Sequence, residues 1–276
     1  MRIMARGLEF DVAVGGPADG APVLLLHGFP QNASVWERVS PALHAAGLRT
    51  IAPDQRGYSP GARPADVTAY DQDECVADAV AIVAALGYDS AHVVGHDWGA
   101  IVGWGLAARH PERVRTLTAV SVPHPRAVGK ALLTDADQRR RTSYVLLFRQ
   151  PGKAEEVLLA DDGVRLRRML TSTGLDAAGI NRYVEPLLAP RALTAALNWY
   201  RAANLLEPAA VADVGVPTTF VWSDEDVAIG RTAAEHCGDH VKADYRFVPL
   251  SGVSHYIPDQ APDALAEAIL ARVSGR

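Results

Sequence analysis

The pentapeptide Gly95-His96-Asp97-Trp98-Gly99 constrains this chain more than any other feature. It follows the apolar run Val93-Val94 and precedes a helical pattern that begins at Trp98. That is the form Gly-x-nucleophile-x-Gly, a strained strand-to-helix turn that lifts its central side chain above a sheet. Here the central residue is an aspartate. A carboxylate that attacks an ester or amide carbonyl makes an anhydride, a poor intermediate. A carboxylate that attacks a saturated carbon makes an ordinary ester, which water can later cleave. The electrophiles that suit Asp97 are therefore a strained epoxide ring or a carbon bearing a halide.

The segments around the turn predict the sheet it stands on. Glu9 to Val14 alternates like a strand and ends at Gly15-Gly16-Pro17. Val23-Leu24-Leu25-Leu26-His27, Leu48 to Pro53, and His92 to His96 read as short buried parallel strands. Asp71 to Leu86 reads as a helix with Val76, Val80 and Val83 on one face and Gly87 just past its end. Trp98 to His110 is a second helix, stopped by Pro111, and Val114 to Val122 a further strand. Strands alternating with helices argue for an α/β fold with a mostly parallel, doubly wound sheet. From Pro123 to Pro208 the pattern becomes helical, and strands return at Thr218 to Trp222 and Tyr245 to Leu250 before a helix over Pro258 to Val273. This predicts a core in two parts, 1–123 and 210–276, with a helical cap at 124–209 lying over the carboxyl ends of the strands, where open α/β sheets bind ligands.

Two further residues complete a catalytic set. Asp226 follows the buried strand in Trp222-Ser223-Asp224-Glu225-Asp226, and His255 follows the next strand in Ser251-Gly252-Val253-Ser254-His255. Both would emerge on the same sheet edge as Asp97. The order nucleophile, acid, histidine is similar to that of the α/β-hydrolase fold. Asp224, Glu225 and Asp226 compete for the acid; Asp226 is the expected one, by its resemblance to the second aspartate of this motif, and Asp224 its main competitor. His27-Gly28-Phe29-Pro30 follows a strand where that fold places half of its oxyanion hole, so the N–H groups of Phe29 and Trp98 are expected to hold the second oxygen of Asp97. His27 and His96 read as structural neighbours.

His27-Gly28-Phe29-Pro30 and the aspartate pentapeptide resemble those of soluble epoxide hydrolases. Two segments of the expected cap extend the likeness: Tyr144-Val145-Leu146-Leu147-Phe148-Arg149-Gln150-Pro151-Gly152 and Asn198-Trp199-Tyr200-Arg201. The resemblance implies that Tyr144 and Tyr200 donate hydrogen bonds to the epoxide oxygen, and that the Phe29-Pro30 peptide is cis. Phe29, Trp98, Phe148 and Trp199 are expected to contact the substrate. Neutral phenols, with a pKa near 10, suit the role of donors to a developing alkoxide. The chain departs from the family at Ser254, where glycine is common, and at Pro60-Gly61, where a glycine and an acidic residue are usual.

The implied reaction is hydrolysis of a small-molecule epoxide to a vicinal diol through an ester on Asp97, with no cofactor and no metal. A haloalkane or haloacetate dehalogenase is the alternative on the same aspartate, but Phe29 stands where a halide-binding asparagine is often found, and Trp98 where the haloacetate enzymes have arginine. A non-catalytic ligand-binding homologue is the alternative from another class; such proteins commonly lose a triad member, and here all three positions are filled. A net charge of −5 and a pI near 6.0 favour no nucleic acid. The arginines at 139–141 and at 165, 167 and 168 read as solvated helix faces. No apolar run suits a signal peptide or a membrane span, and two distant cysteines, Cys75 and Cys237, suit a reducing cytoplasm. Nothing in the sequence specifies an oligomer.

Overall fold

The computed structural model describes residues 1–203 and 211–275. Eight strands form one sheet: β1 (Arg2–Ala5), β2 (Leu8–Gly15), β3 (Ala21–Leu26), β4 (Leu48–Pro53), β5 (Ala91–His96), β6 (Val114–Val120), β7 (Thr218–Glu225) and β8 (Tyr245–Ser254). Their order across the sheet is β1-β2-β4-β3-β5-β6-β7-β8. The β1–β2 and β2–β4 pairs are antiparallel, and every pair from β4 to β8 is parallel. The central strands are apolar because helices cover both faces: Val23 to Leu26, Val93 and Val94, and Leu117 are all buried.

Most of the expected elements are present within a residue or two. The helices Gln72–Ala85 and Trp98–Arg109 flank β5, and the first ends at Gly87 with φ +84°. Two differences have local causes. Strand β1 was not expected; it pairs with β2 through the two-residue turn Arg6-Gly7, with φ of +52° and +79°, a geometry that suits hairpins. Four residues are too few for a periodic signal. The final helix is broken into Ile257–Gln260 and Pro262–Val273. Pro262 lacks the N–H that would continue the first helix and keeps Ala261 out of the helical region, at φ −133° and ψ 53°.

Between β6 and β7 the described chain is helical from Pro125 to Ala202. The expected end of the cap at residue 209, and Pro208, lie outside the described residues. This insertion packs on the sheet's carboxyl edge through specific bonds. Trp199 Nε1 donates to the carbonyl of Arg56 (2.8 Å), and the Tyr183 hydroxyl donates to Asp259 Oδ1 (2.8 Å). Both cysteines are buried and unpaired. No helix among the described residues is long and apolar enough to cross a membrane.

Candidate active site

Four strand ends build the site. β3 leads into His27-Gly28-Phe29, β5 into Asp97, β7 into Asp226, and β8 into His255. All four belong to the parallel part of the sheet, so all open on its carboxyl edge. Asp97 has φ 54° and ψ −119°, a conformation that costs a non-glycine residue energy and aims its side chain away from the sheet. The close packing around it requires missing side chains. A Cβ on Gly99 would lie 2.1 Å from the carbonyl oxygen of Leu26, and a Cβ on Gly28 would lie 2.2 Å from Asp97 Oδ1. The Phe29-Pro30 peptide is cis.

Phe29 N donates to Asp97 Oδ1 at 2.8 Å, and His255 Nε2 lies 3.5 Å from Asp97 Oδ2. Among the described residues the backbone N–H of Trp98, the other expected donor, makes no hydrogen bond to this carboxylate. His255 Nδ1 is 2.8 Å from Asp226 Oδ2, while Asp226 Oδ1 accepts from Ala228 N (2.7 Å) and Ile229 N (2.9 Å). The backbone carbonyl of His255 is held by Ser121 Oγ (2.7 Å) and His96 Nε2 (2.9 Å). Burial disfavours the imidazolium of His255, but the adjacent Asp226 and Asp97 carboxylates outweigh it and raise its pKa to about 10. For Asp97, burial would raise the pKa; the hydrogen bond and charge of His255, with the N–H of Phe29, outweigh it and lower the pKa. In the free site the two carboxylates thus favour the imidazolium form of His255.

The competing acids are placed apart. Glu225 is exposed. Asp224 accepts from Ser251 Oγ and Gly252 N, both at 2.8 Å. These bonds pin an irregularity in which β8 advances from Leu250 to Ser254 while β7 advances only from Ser223 to Glu225. The bulge brings Glu225 level with Ser254, so the next residues, Asp226 and His255, leave the sheet side by side.

Above Asp97 lies a cavity of about 820 Å3, lined in part by Asp97, Trp98, Tyr144, Val145, Trp199 and Tyr200. Tyr144 ends a short helical turn, Thr142–Tyr144, and Tyr200 lies on the helix Ala192–Ala202. Their rings are 6.2 Å apart, and Tyr200 stands edge-on to Trp98 at 4.9 Å. Burial pushes both phenols up from their ordinary pKa, with Asp97 adding to it, so both are neutral donors. Phe29 and Phe148 do not line this cavity. They pack edge-on with one another at 5.3 Å and with Tyr200 at 5.5 and 5.0 Å, and so form the wall behind that tyrosine.

His27 and His96 bond to backbone groups beside the site. The Nε2 of His27 accepts from Gln55 N (3.0 Å), and Gln55 Nε2 donates to the carbonyl of His27 (2.6 Å), which fixes the loop that presents Phe29. Arg141 departs from the expected solvated face: it donates to the backbone carbonyl of Asp226 and pairs with Asp137. Gln55, Ser121 and Gln138 are buried polar residues that hold the site, and sequence reasoning missed them. A lone glutamine or serine carries no periodic or motif signal; only its partners reveal it.

An aspartate on a strand-to-helix turn, facing a histidine and an acid from two later strand ends, defines a class. The chain belongs to the α/β-hydrolase family: residues 21–262 match the family model described as the alpha/beta hydrolase fold. Within that family it resembles the epoxide hydrolases. It is 32% identical over 309 residues to epoxide hydrolase A of Mycobacterium tuberculosis, covering 98% of this chain and 95% of that one. It is also 32% identical over 275 residues to the AB hydrolase superfamily protein YfhM of Bacillus subtilis, covering 97% and 95%. The crystal structure of epoxide hydrolase A from Mycobacterium thermoresistibile superposes with a TM-score of 0.86 at 27% identity, covering 100% of this chain and 98% of that one.

Proposed function

We propose that this protein hydrolyses a small-molecule epoxide to a vicinal diol through a covalent ester on Asp97. The observation that carries the reading is the placement of one ionised carboxylate and two neutral phenols on a single cavity, with His255 and Asp226 behind the carboxylate. Asp97 Oδ2, the oxygen not bonded to Phe29, attacks a ring carbon and breaks its C–O bond. The departing oxygen takes a proton from Tyr144 or Tyr200, and the phenol is reprotonated from solvent. Esterification removes one of the two negative charges that keep His255 protonated, so its pKa falls towards the range of a base and it releases its proton to solvent. His255, oriented by Asp226, then takes a proton from water as that water attacks the ester carbonyl. Phe29 N–H, already on Oδ1, stabilises the oxyanion. Collapse releases the diol and restores the Asp97 carboxylate. The helices between β6 and β7 act as the cap that closes the cavity and supplies the phenols.

The likeness to proteins named as epoxide hydrolases supports the choice of electrophile. The two unpaired, buried thiols accord with a cytoplasmic setting. A panel of styrene oxide, cyclohexene oxide and epoxyhexane, beside chlorobutane and chloroacetate, tests the reading. Diol formation from the epoxides, abolished in Asp97→Asn, is expected. Halide release without diol formation would assign the site to dehalogenation.

A further inference from the structure

The loop that carries the triad acid is held from outside by the helical insertion. Asp226 depends on that loop, because its Oδ1 is bonded to the amides of Ala228 and Ile229. Two further polar groups of the same turn are taken by one side chain from the helix Ala136–Arg141, while Trp222 Nε1 donates to the carbonyl of Ile229 (3.2 Å). Gln138 Nε2 donates to the carbonyl of Ala228 (2.8 Å), and Gln138 Oε1 accepts from Gly230 N (2.9 Å). Gln138 is fully buried although it sits in a helix of charged residues. Three residues on, Arg141 donates to the carbonyl of Asp226 itself. The amide thus grips the outgoing arm of the turn that wraps the carboxylate and Arg141 the incoming one, while Val227 at its tip is exposed.

We propose that Gln138 is a positioning residue for the triad acid. By clamping the turn 226–230 it keeps Asp226 Oδ2 on His255 Nδ1. This rests on the reading of His255 as the base for ester hydrolysis. Its consequence is selective: removing the clamp slows hydrolysis of the Asp97 ester, which uses the His255–Asp226 pair, and leaves ester formation, which uses Asp97 and the phenols, nearly unchanged. Gln138→Leu has similar bulk but leaves the carbonyl of Ala228 and the N–H of Gly230 without partners, so the turn must move to find water. Gln138→Glu keeps the acceptor for Gly230 N.

The test uses single-turnover mixing of the intact protein with styrene oxide, or with the best epoxide of the panel, followed by quenching and intact mass measurement. In Gln138→Leu, ester formation should stay within about twofold of native while its hydrolysis falls about tenfold or more, a fraction of the general-base effect. The ester then accumulates, and the pH midpoint of hydrolysis moves down because His255 is less tightly coupled to Asp226. Gln138→Glu should fall between native and Gln138→Leu. If both steps slow by one common factor, or neither slows, Gln138 is merely structural and the proposal is overturned. If Gln138→Leu does not fold, the same ratio in Gln138→Glu decides. His255→Gln serves as reference: failure of that variant to accumulate ester would overturn the underlying reading itself, whatever the Gln138 variants do.

Discussion

In the proposed reaction, two phenols and one carboxylate divide the chemistry at the residue scale. Asp97 is kept ionised by His255 and Phe29 N–H, and Tyr144 and Tyr200 are kept neutral by burial. Each tyrosine can donate to the leaving oxygen, so neither should be indispensable alone. We expect Tyr144→Phe and Tyr200→Phe to retain measurable epoxide turnover and the double variant to lose about 10²- to 10⁴-fold, the usual worth of a positioned acid. Both side chains pack mainly through their rings, so circular dichroism should be unchanged. Undiminished turnover in the double variant would remove the tyrosines from ring opening.

Elements act here through where they end. β3 and β5 bring Gly28 and Asp97 so close that only a hydrogen fits between them. Gly28→Ala should therefore displace either the carboxylate or the Phe29 amide. A loss of about 100-fold in turnover is expected, comparable to loss of one oxyanion donor, and a variant as active as native would show that the contact is dispensable. The strand ends were largely legible in the sequence, because buried parallel strands read as continuous apolar runs and the pentapeptide marks its own turn. The acid was less so. Asp224 and Asp226 lie on the same side of an ideal strand, and only the bulge pinned by Asp224 separates them. Contacts made across the insertion, such as Gln138 on the Asp226 turn, were not legible, because they depend on how distant helices pack. Phe29 and Phe148, which read as substrate contacts, pack edge-on against Tyr200.

For the whole molecule, burial sets the response to acid. His92, His96 and His124 are each lowered by burial to a pKa of about 4. The unfolded chain protonates them near 6.5, so their contribution to stability is present above that pH and is lost as pH falls towards 4. His255 has the opposite sign: its contribution is full below about 6.5 and is lost as pH rises through about 10. Asp259, raised by burial to about 6, opposes the histidines in acid, but it is one group against three. The melting temperature should therefore fall from pH 6.5 to pH 4.5, and should also decline above pH 8. A flat profile between pH 4.5 and 6.5 would mean that the buried histidines are not held neutral.

The central claim is that oxygen reaches the product from the protein and not directly from water. A single turnover of the native protein with excess enzyme in heavy-oxygen water tests it most directly, with mass analysis of both the peptide containing Asp97 and the diol. The account predicts heavy oxygen in the Asp97 carboxylate and ordinary oxygen in the diol, since water attacks the ester carbonyl and the diol departs with an oxygen of the aspartate. Heavy oxygen in the diol alone would mean that water opens the ring directly, and Asp97 would not be the nucleophile.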